Sequence, residues 1–580
     1  MTFDQTAIVV ILVALFAAFA SDRIRLEAAA FAGLAVAFIL GLVPAAQVFS
    51  GFSHPAVITV VEILVLVRAM QNAHILDAVA LRLTRTFRTR WSVVAVLSIS
   101  GAFFSIFMNN VGALALMFPI AISLCARARI DLAQVLMPLS FATLLGGLCS
   151  IIGTPANLVV NDALRAASGH GFAFFDLGRV GAPVAIAGLV LVILWPVSFF
   201  LSGRKPRQGH ENDSDNPLLS EVRITDGSVW SGTRLPLIDA DIGGRVHGVF
   251  RNGVAVFGRR SEIRVQPGDV LLIEGPASVI RERMVQRDIA QSGAPDPPAS
   301  VEAEAVVVPN SIVLGSRLGT LNGLTSRGVA IRGVVTRTKR IEGRLADFQL
   351  SVGDVLQVSG RSEHLAAAIA DAGLLSLAAS ETHGPVSAGF PALLVFAGAV
   401  MLTAFSITPP EIAFGLSIAV LAALGRFDLR AAVRGLNWPI ILMLAAMIPL
   451  GEAVETTGAA HIIATAAISS LPSTSPLMIC AGILLTSVIV TPFVNNASAA
   501  IILSPIAIEI ARSTNTPVEA VLVAVAIGVS LDFLTPFGHH NNTIVMGAGG
   551  YRFLDFPRLG LPLVCVTAAV AIIMISMVWL

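Results

Sequence analysis

The chain has 580 residues, of which 55% are hydrophobic and 13% are charged, and its mean hydropathy is +0.82. This composition is typical of a polytopic membrane protein, and the net charge of +1 argues against nucleic-acid binding. The four cysteines lie within or beside apolar segments without CxxC spacing, so neither a disulfide framework nor a zinc site is expected.

Apolar runs long enough to cross a bilayer form two groups, one toward each end of the chain. The first group lies near residues 6–20, 26–43, 56–72, 134–160 and 180–202, and the second near 388–407, 411–424, 438–450, 518–535 and 560–579. The first run lacks a basic n-region and leads directly into the next, so we predict no cleavable signal peptide. The sequence therefore predicts a multi-pass protein of the bacterial inner membrane.

Two adjacent asparagines, Asn109 and Asn110, lie inside the apolar stretch FFSIFMNNVGALALMFPIAIS (residues 103–123). Clusters of basic residues flank this stretch on both sides, and such clusters mark cytoplasmic faces. Residues 91–126 would therefore enter and leave the membrane on one side, as a re-entrant hairpin with the asparagines near its tip. Non-helical backbone at that depth must be buried in protein or face water, and the asparagine amides could satisfy it.

A polar segment over residues 206–383 is predicted to be a cytoplasmic insert. Its alternating apolar residues between glycines predict strands, and IRVQPGDVLLIEG (263–275) is partly repeated by QLSVGDVLQVSG (353 − 268 = 85). Two small α+β domains are therefore predicted, at about 218–290 and 300–375. They resemble the TrkA-C domain of potassium-conductance regulators, which implies regulation by a small ligand or a role in assembly. A dimerisation insert without a ligand is the alternative.

The second membrane half repeats the motifs of the first. TPFVNNASAAIILSPIAI (491–508) aligns with SIFMNNVGALALMFPIAI (105–122), so that Asn495 corresponds to Asn109 (495 − 109 = 386). FGHHNNTIV aligns with IGTPANLVV at nearly the same offset. We therefore predict that the two halves share one fold.

Five crossings before a cytoplasmic insert make the two halves, residues 1–205 and 384–580, run in opposite directions. This predicts an α-helical membrane fold of two inverted-topology repeats, each with a re-entrant hairpin and a broken helix. Glycine and proline in GTPAN and PFGHHNN predict the two breaks. Broken helices free carbonyl oxygens for cations and amide groups for anions. We expect both hairpin tips and both breaks to converge near the middle of the membrane.

This layout resembles the divalent anion/sodium symporter family of the ion-transporter superfamily, over both membrane halves. That family carries Ser-Asn-Thr motifs at two hairpin tips and GTPPN-like breaks, and the resemblance implies a homodimer, an elevator-type motion and two sodium sites. The matching sodium ligands are Ser105, Asn109, Asn110 and Gly153 in the first site, and Thr491, Asn495, Asn496 and Gly538 in the second. The matching substrate contacts are Asn109, Asn110, Thr154, Asn157, Asn495, Asn496, His539, His540, Asn541 and Asn542.

Departures from the family pattern bear on the substrate. Val111 and Ala497 replace the family's threonines, whose hydroxyls are implied substrate donors in dicarboxylate carriers. HHNN in the second break adds hydrogen-bond donors and a potential positive charge that suit a tetrahedral oxyanion. We therefore favour sulfate or a similar divalent anion as substrate and sodium, a hard cation, as the coupling ion, with no other cofactor. Because no G-x-x-x-x-G-K-[ST] motif is present, an ion gradient is expected to supply the energy, and the chain is not expected to be an enzyme.

Several alternatives stay open. In one alternative the asparagine pairs do no more than cap helices. In another, the two histidines serve solely to form hydrogen bonds between helices. A sodium- or proton-coupled dicarboxylate carrier would use the same layout, with proton coupling raising uptake at acidic pH. A ligand-gated channel or sensor is a different class, but a potassium channel would need a TVGYG-like filter, and Tyr551 is the single tyrosine. Asp532, in SLDFLTP, could join a cation route or pair helices.

Overall fold

The computed structural model describes residues 1–580 except for 22–25, 72–88, 129, 195–216, 293–299, 308–310, 322–327, 337–342, 352, 362–363, 366–367, 370–371, 377–389, 406, 426–428, 435, 437, 471 and 537. The predicted domain boundaries at 205/206 and 383/384 lie outside the described residues. So does most of the basic segment that precedes the first predicted hairpin.

The described residues before the polar segment are mostly helical. Their helices are α1 Phe3–Ser21, α2 Leu26–Ile39, α3 Pro55–Gln71, α4 Arg90–Phe107, α5 Asn110–Ala128, α6 Leu136–Gly146, α7 Pro155–Ser168 and α8 Gly178–Leu194. Most of these segments are rich in Ala, Leu, Val and Ile around their whole circumference, as expected of helices whose surroundings are lipid or other helices.

The polar segment contains all the described strands and two short helices. These elements are β1 Pro217–Ile224, α9 Leu235–Ile242, β2 Arg245–Arg251, β3 Val254–Ala255, β4 Val270–Pro276, α10 Ala277–Val285, β5 Ile289–Gln291, β6 Ser300–Val307, β7 Ala330–Val335, β8 Val355–Arg361 and β9 Leu374–Ser376. The described strands form one antiparallel sheet in the order β3-β2-β4-β1-β7-β8-β6-β9, with β5 also paired to β1. Two hydrophobic clusters lie on this sheet, and the pairing of β1 with β7 joins its two parts.

The chain becomes helical again after the polar segment. The helices are α11 Phe390–Ala404, α12 Pro410–Ala423, α13 Leu429–Arg434, α14 Trp438–Thr456, α15 Ala459–Ser470, α16 Pro476–Val490, α17 Asn496–Thr514, α18 Val518–Ser530, α19 His540–Gly549 and α20 Asp555–Val578. A third and largest hydrophobic cluster is shared by the helices on both sides of the polar segment.

Five of the described helical segments are long and apolar enough to cross a membrane. They are Ala45–Leu66, Arg90–Phe107, Leu132–Cys149, Asn496–Thr514 and Asp555–Val578. The pair Ile441–Thr456 and Ala459–Ser469, bent by 71°, could form a sixth, and eight further apolar helices have 10–17 residues. The prediction of a mostly helical, multi-pass membrane protein is therefore confirmed.

Two helical hairpins and two helix breaks stand at corresponding places in the halves. Hairpin 1 is α4 with α5, and hairpin 2 is α16 with α17; the asparagine pairs lie where each hairpin turns. Break 1 is residues 147–154, between α6 and α7, and break 2 is residues 531–539, between α18 and α19. Pro155 can begin α7 because the first helical position needs no amide hydrogen.

Each broken helix packs against the hairpin of the other half. Helix α7 lies against α17 and α18, and helix α19 lies against α5 and α6. Within each half the hairpin also packs on its own broken helix, as α4 does on α6 and α16 does on α18. The tips and breaks are thereby placed in contact, and this arrangement positions the candidate site.

Candidate functional site

The first asparagine of each pair caps the helix that follows it. Asn109 Oδ1 accepts a hydrogen bond from Val111 N (3.0 Å), and Asn495 Oδ1 accepts one from Ala497 N (3.0 Å). These bonds satisfy free amide groups at the starts of α5 and α17. The capping alternative therefore accounts for the side-chain oxygens of Asn109 and Asn495. Their side-chain nitrogens, which have no acceptor among the described residues, are left to donate to a ligand.

The second asparagine of each pair turns into the protein. Asn110 is 2% exposed and Asn496 is 7% exposed. The side-chain oxygen of Asn110 lies 2.8 Å from Ser105 Oγ, and that of Asn496 lies 3.0 Å from Thr491 Oγ1. In both halves a hydroxyl therefore meets the asparagine five residues later, across the turn of the hairpin. Thr491 Oγ1 also donates to Val529 O (2.8 Å), at the end of α18.

Oxygen atoms from hairpin 1, α6 and break 1 surround the amide of Asn110. Its Oδ1 position lies 2.8 Å from Ser105 Oγ, 3.1 Å from Thr143 O and 3.3 Å from Gly153 O. With its nitrogen turned toward this group, the amide has three acceptors within reach of its two hydrogens; with its oxygen turned there, it completes a cluster of four oxygens. Ligands at roughly 2.4 Å from a hard cation lie about 3.4 Å apart at right angles. The distances from Asn110 to Thr143 O and Gly153 O approach that spacing, and the distance to Ser105 Oγ is shorter.

An asparagine from the following helix braces each break in the same way. Asn157 Nδ2 donates to Gly147 O (2.9 Å) and to Ser150 O (2.8 Å). The corresponding bonds in break 2 join Asn542 Nδ2 to Asp532 O (2.9 Å) and to Thr535 O (3.1 Å). One offset relates all three positions (542 − 157 = 532 − 147 = 535 − 150 = 385). The sequence repeat therefore corresponds to a repeat of specific contacts.

Break 2 is joined to the first half through Asn541. Its Nδ2 donates to Asn110 O (2.9 Å) and to Thr143 Oγ1 (2.8 Å). Ser140 Oγ, on α6, donates to the side-chain oxygen of Asn542 (2.8 Å). The tip of hairpin 1, helix α6 and the start of α19 therefore form one buried polar cluster.

Four buried oxygen atoms of this region receive no hydrogen bond from the described residues. They are Oδ1 of Asn157, Oδ1 of Asn541 and both carboxylate oxygens of Asp532. A buried polar atom without a partner costs about 1–3 kcal/mol, so such atoms are uncommon unless they serve a ligand. All four are acceptors, which suits a cation and not an anion.

Thr154 and His539 cap the helices that follow the breaks. Thr154 Oγ1 accepts a hydrogen bond from Asn157 N (3.3 Å), and His539 Nδ1 accepts one from Asn541 N (3.1 Å). An imidazole whose Nδ1 accepts is neutral and carries its proton on Nε2. His539 is thus a neutral donor through Nε2 in this arrangement, so the potential positive charge of the HHNN stretch is not present on this ring. The ring of His540 lies 6.4 Å from that of His539.

Close backbone approaches require glycine at both predicted backbone positions. A Cβ on Gly153 would collide with Gly147 O, and a Cβ on Gly538 would collide with the carboxylate of Asp532. A Cβ on Gly147 would in turn collide with the side-chain oxygen of Asn110. The breaks are therefore packed tightly against the groups that line the site.

Three residues of this cluster were not among the predicted ligands: Ser140, Thr143 and Gly147. Their sequence context, SFATLLGG within an apolar run, carries no polar motif. The repeat offset could have indicated Gly147, because it is the counterpart of Asp532. Only packing reveals Ser140 and Thr143, which face Asn542 and Asn541 across the two halves.

The helix starts are the electropositive groups of this region. The segments that form the tips and breaks, residues 103–112, 147–157, 488–498 and 530–543, contain no lysine or arginine. Helices α5, α7, α17 and α19 all begin there, and a helix start carries about half a positive charge. Donors at such a point suit an anion. The region thus combines amide donors with buried acceptor oxygens.

A multi-pass helical protein whose hairpins and broken helices meet at buried polar groups has the architecture of a membrane transporter. The chain belongs to the citrate transporter family of the ion-transporter superfamily: that family matches residues 16–528 and 473–580. A non-enzymatic transport role agrees with this membership.

Individual relatives match over different shares of the chain. The uncharacterized transporter YfbS of Escherichia coli (strain K12) is 27% identical, over 97% of each chain. A putative sulfur deprivation response regulator of Chlamydomonas reinhardtii is 23% identical, over 93% of this chain and 96% of its own. Sodium/sulfate cotransporter 1 of the same alga is 30% identical, over 43% of this chain and 31% of its own.

Proposed function

We propose that the protein is a sodium-coupled symporter of sulfate or a similar divalent oxyanion. The observation that carries this proposal is the matched pair of tip contacts, Ser105 with Asn110 and Thr491 with Asn496. In each half a hydroxyl and an amide oxygen are buried together, next to carbonyl oxygens that a helix end or break leaves exposed.

Sodium fits the donor set at hairpin 1. Ser105 Oγ, Thr143 O and Gly153 O surround the Oδ1 position of Asn110 within 3.3 Å, and oxygen ligands suit a hard cation. With sodium bound, the amide of Asn110 presents its oxygen; without it, the amide turns its nitrogen to the same three atoms. Sodium binding would thus fix the orientation of one side chain at the tip of hairpin 1.

Charge explains why an anion would need the cation. The tip and break segments contain no lysine or arginine, so helix starts and amide donors are the electropositive groups that they offer to a divalent anion. Transferring an unpaired ion into a low-dielectric region costs several kcal/mol. Sodium ions at the two tips would offset that cost, and the anion in turn would favour their binding.

The anion donors would be the nitrogen atoms that capping leaves free. Asn109 and Asn495 use their side-chain oxygens as caps, which directs their NH₂ groups away from the helix starts. His539 offers Nε2, and His540 lies beside it at the start of α19. Neutral donors of this kind suit a tetrahedral oxyanion, whose oxygens all accept hydrogen bonds.

The names of relatives support two different substrates. The partial match to sodium/sulfate cotransporter 1 favours sulfate and sodium, whereas the family name favours a carboxylate. A sodium- or proton-coupled carboxylate carrier is therefore the second candidate. Val111 and Ala497 place apolar side chains directly after the asparagine pairs, which leaves fewer hydroxyl donors for a larger carboxylate.

Transport would proceed by alternating access between two inverted repeats. The offsets that relate the tip and break contacts support the repeat, and the proposed motion is an elevator-type movement of the hairpins and broken helices in a homodimer. The polar segment would lie in the cytoplasm of a bacterium, as two TrkA-C-like domains that regulate transport or support assembly. The close contact between Gly353 and α19, where a Cβ added to Gly353 would lie 2.9 Å from Thr543 O, favours regulation.

The experiment is uptake of radiolabelled sulfate into proteoliposomes under an inward sodium gradient, with choline replacing sodium in the control. Thiosulfate, succinate and citrate are added in excess as competitors. Sodium-dependent sulfate uptake that thiosulfate inhibits, and the two carboxylates do not, is expected. Sodium-dependent uptake of citrate or succinate without sulfate uptake would establish the second candidate, and no effect of sodium on any of these anions would contradict both.

A further inference from the structure

Asp532 is a buried carboxylate with no partner inside break 2. Its side chain is 0% exposed, and neither carboxylate oxygen accepts a hydrogen bond from the described residues. Its backbone carbonyl, in contrast, is held by Asn542 Nδ2 at 2.9 Å. The backbone at Asp532 is therefore fixed while its charge-bearing atoms are left unsatisfied.

Packing leaves the carboxylate little freedom. Both of its oxygens lie against Gly538, where a Cβ would collide with them. The absence of a side chain at Gly538 thus makes the space that the carboxylate occupies. A glycine at that position serves the carboxylate as well as the turn of the backbone.

The repeat predicts the direction in which this carboxylate projects. Asp532 corresponds to Gly147 in the first half (532 − 147 = 385), and both carbonyls accept a hydrogen bond from the matching asparagine at 2.9 Å. A Cβ on Gly147 would run into the side-chain oxygen of Asn110. By the repeat, the side chain of Asp532 is expected to start toward the counterpart of that oxygen, which belongs to Asn496.

We propose that Asp532 is an anionic ligand of the sodium ion bound in the second half, together with Thr491 and Asn496. The two sodium sites are then unequal: the first is built from neutral oxygens and the second carries a full negative charge. A charged carboxylate buried without a partner costs several kcal/mol. An ion in the second site would neutralise this carboxylate. Sodium would accordingly fill the second site at lower concentration than the first, and before the anion arrives.

The test measures sodium binding without transport, by thermal unfolding of the purified protein as sodium replaces choline at constant ionic strength. A ligand that binds only the folded state stabilises it by RT ln(1 + [L]/Kd), so the dependence of the unfolding temperature on sodium concentration gives the sodium Kd. Asp532→Asn should raise that Kd at least about tenfold. Asp162→Asn is the matched control, because Asp162 is a largely buried acid on α7 that faces His54 (3.5 Å) and Arg165 (3.7 Å) and not break 2.

A second variant covers the case in which Asp532→Asn does not fold. Gly538→Ala keeps the carboxylate but pushes it from its place, and it should weaken sodium-induced stabilisation in the same direction. An unchanged sodium Kd in the folded variant, or stabilisation of the unaltered protein by acid but not by sodium, would overturn the proposal. The inference rests on the proposed function only for the identity of the coupling ion. Intact sodium binding without anion uptake would therefore count against the proposed function alone.

Discussion

At the scale of single residues, the two asparagines of each pair have different environments. Asn109 and Asn495 cap helices with their side-chain oxygens, whereas Asn110 and Asn496 are buried against a hydroxyl. The first pair member would therefore act on the anion through its nitrogen, and the second on sodium through its oxygen.

Substitutions at Asn109 and Asn110 should separate these roles. Asn110→Ala removes one of four clustered oxygens, so sodium-stimulated uptake should fall to the level measured in choline. Asn109→Ser retains a good helix cap but loses the NH₂ group, so the anion concentration for half-maximal uptake should rise while sodium dependence persists. Uptake assays across sodium and anion concentrations measure both, and normal sodium dependence in Asn110→Ala would contradict its assignment.

In the polar segment, the repeat relates two carboxylates, Asp269 and Asp354, that have different partners. Asp269 is bound by Arg251 through two hydrogen bonds of 2.8 Å, and this bonding raises the pKa of the Arg251 guanidinium. At the related positions 85 residues later (336 − 251 = 354 − 269 = 85), Thr336 faces Asp354. Burial raises the pKa of the Asp354 carboxyl from 3.8 to about 6, against the opposing hydrogen bond from Ser351 N.

Asp354→Asn should therefore stabilise the sheet at neutral pH. The folded protein holds the Asp354 proton more tightly than the unfolded chain. The free energy of unfolding therefore falls as the pH rises from about 4 to about 6, and above that range the loss due to Asp354 stays constant. The gain at about pH 7 should be at most about 3 kcal/mol and should nearly vanish near pH 4. Hydrogen exchange of β8 in the full-length protein, corrected for intrinsic rates, measures it.

Asp269→Asn is the matched comparison and should act in the opposite direction. It removes the charged partner of Arg251, with an expected loss of about 2 kcal/mol at neutral pH. Equal effects of the two substitutions would show that the partner of each carboxyl group does not determine its contribution to the free energy of unfolding.

Residue types and offsets predict part of this detail. The repeat in the sequence predicts that Thr491 is the counterpart of Ser105 and that Asn496 is the counterpart of Asn110. The contact within each half follows from the sequence because it depends on short-range spacing across one hairpin turn. Contacts that cross between the halves, such as Asn541 with Thr143, depend on how four helices pack and leave no periodic trace in the sequence. For the same reason Gly147 carries no signal until its counterpart, Asp532, is located.

At the scale of helices, backbone contacts between α4 and α6 position the first hairpin. A Cβ on Gly146 would collide with Ala102 O, so the two helices approach at that point closer than any side chain allows. Small residues permit such approaches between membrane helices. The tip of hairpin 1 is thereby held beside break 1.

Gly146→Ala should move hairpin 1 away from α6 and destabilise the protein by about 1–3 kcal/mol. Gly398→Ala is the control, since Gly398 lies within α11 with no atom near its Cβ position and alanine should add about 0.5–1 kcal/mol of helix stability. Thermal unfolding in detergent compares them. Equal unfolding temperatures in the two variants would contradict the close packing of α4 on α6.

Hydrophobic runs, glycines and prolines predict most of the described membrane helices and both interruptions. They predict helix ends poorly where apolar residues continue through a break. Residues 134–160 form one continuous run in the sequence but contain the end of α6, break 1 and the start of α7. The carbonyls that the break frees are satisfied there by the side chain of Asn157, a contact that hydropathy does not encode.

At the scale of the whole molecule, the polar segment touches a helix of the candidate site. Gly353, in the turn before β8, packs so closely on α19 that a Cβ on Gly547 would collide with Gly353 O. Helix α19 begins with the His539–Asn542 stretch at break 2. A movement of the sheet could therefore shift donors that face the site, without any change in the hairpins.

Gly547→Ala should separate this turn from α19. Hydrogen exchange should increase in residues 351–354 and in the last turn of α19, and the maximal rate of anion uptake should change while the sodium concentration for half-maximal uptake is retained. Gly398→Ala again serves as the control. Unaltered exchange and uptake would leave the polar segment with a role in assembly alone.

Composition predicts the division into helical and strand-containing parts, because the two parts differ in hydropathy over long windows. It does not predict that the described strands of both repeats form one sheet, since the pairing of β1 with β7 joins segments over 100 residues apart. The family membership places the chain among transporters, and the ion and anion are assigned by proposal from the oxygens and donors at the tips.

Coupling between the two ions is measured most directly by following sodium and sulfate together. Proteoliposomes containing the protein are supplied with both ions, each radiolabelled, and the entry of each is followed with and without the other. Sulfate should accelerate sodium entry in a fixed ratio, and Asn110→Ala should abolish this coupled entry. Sulfate entry at the same rate in sodium and in choline, with no sodium carried alongside it, would show that sodium at the hairpin tips does not offset the charge of the anion.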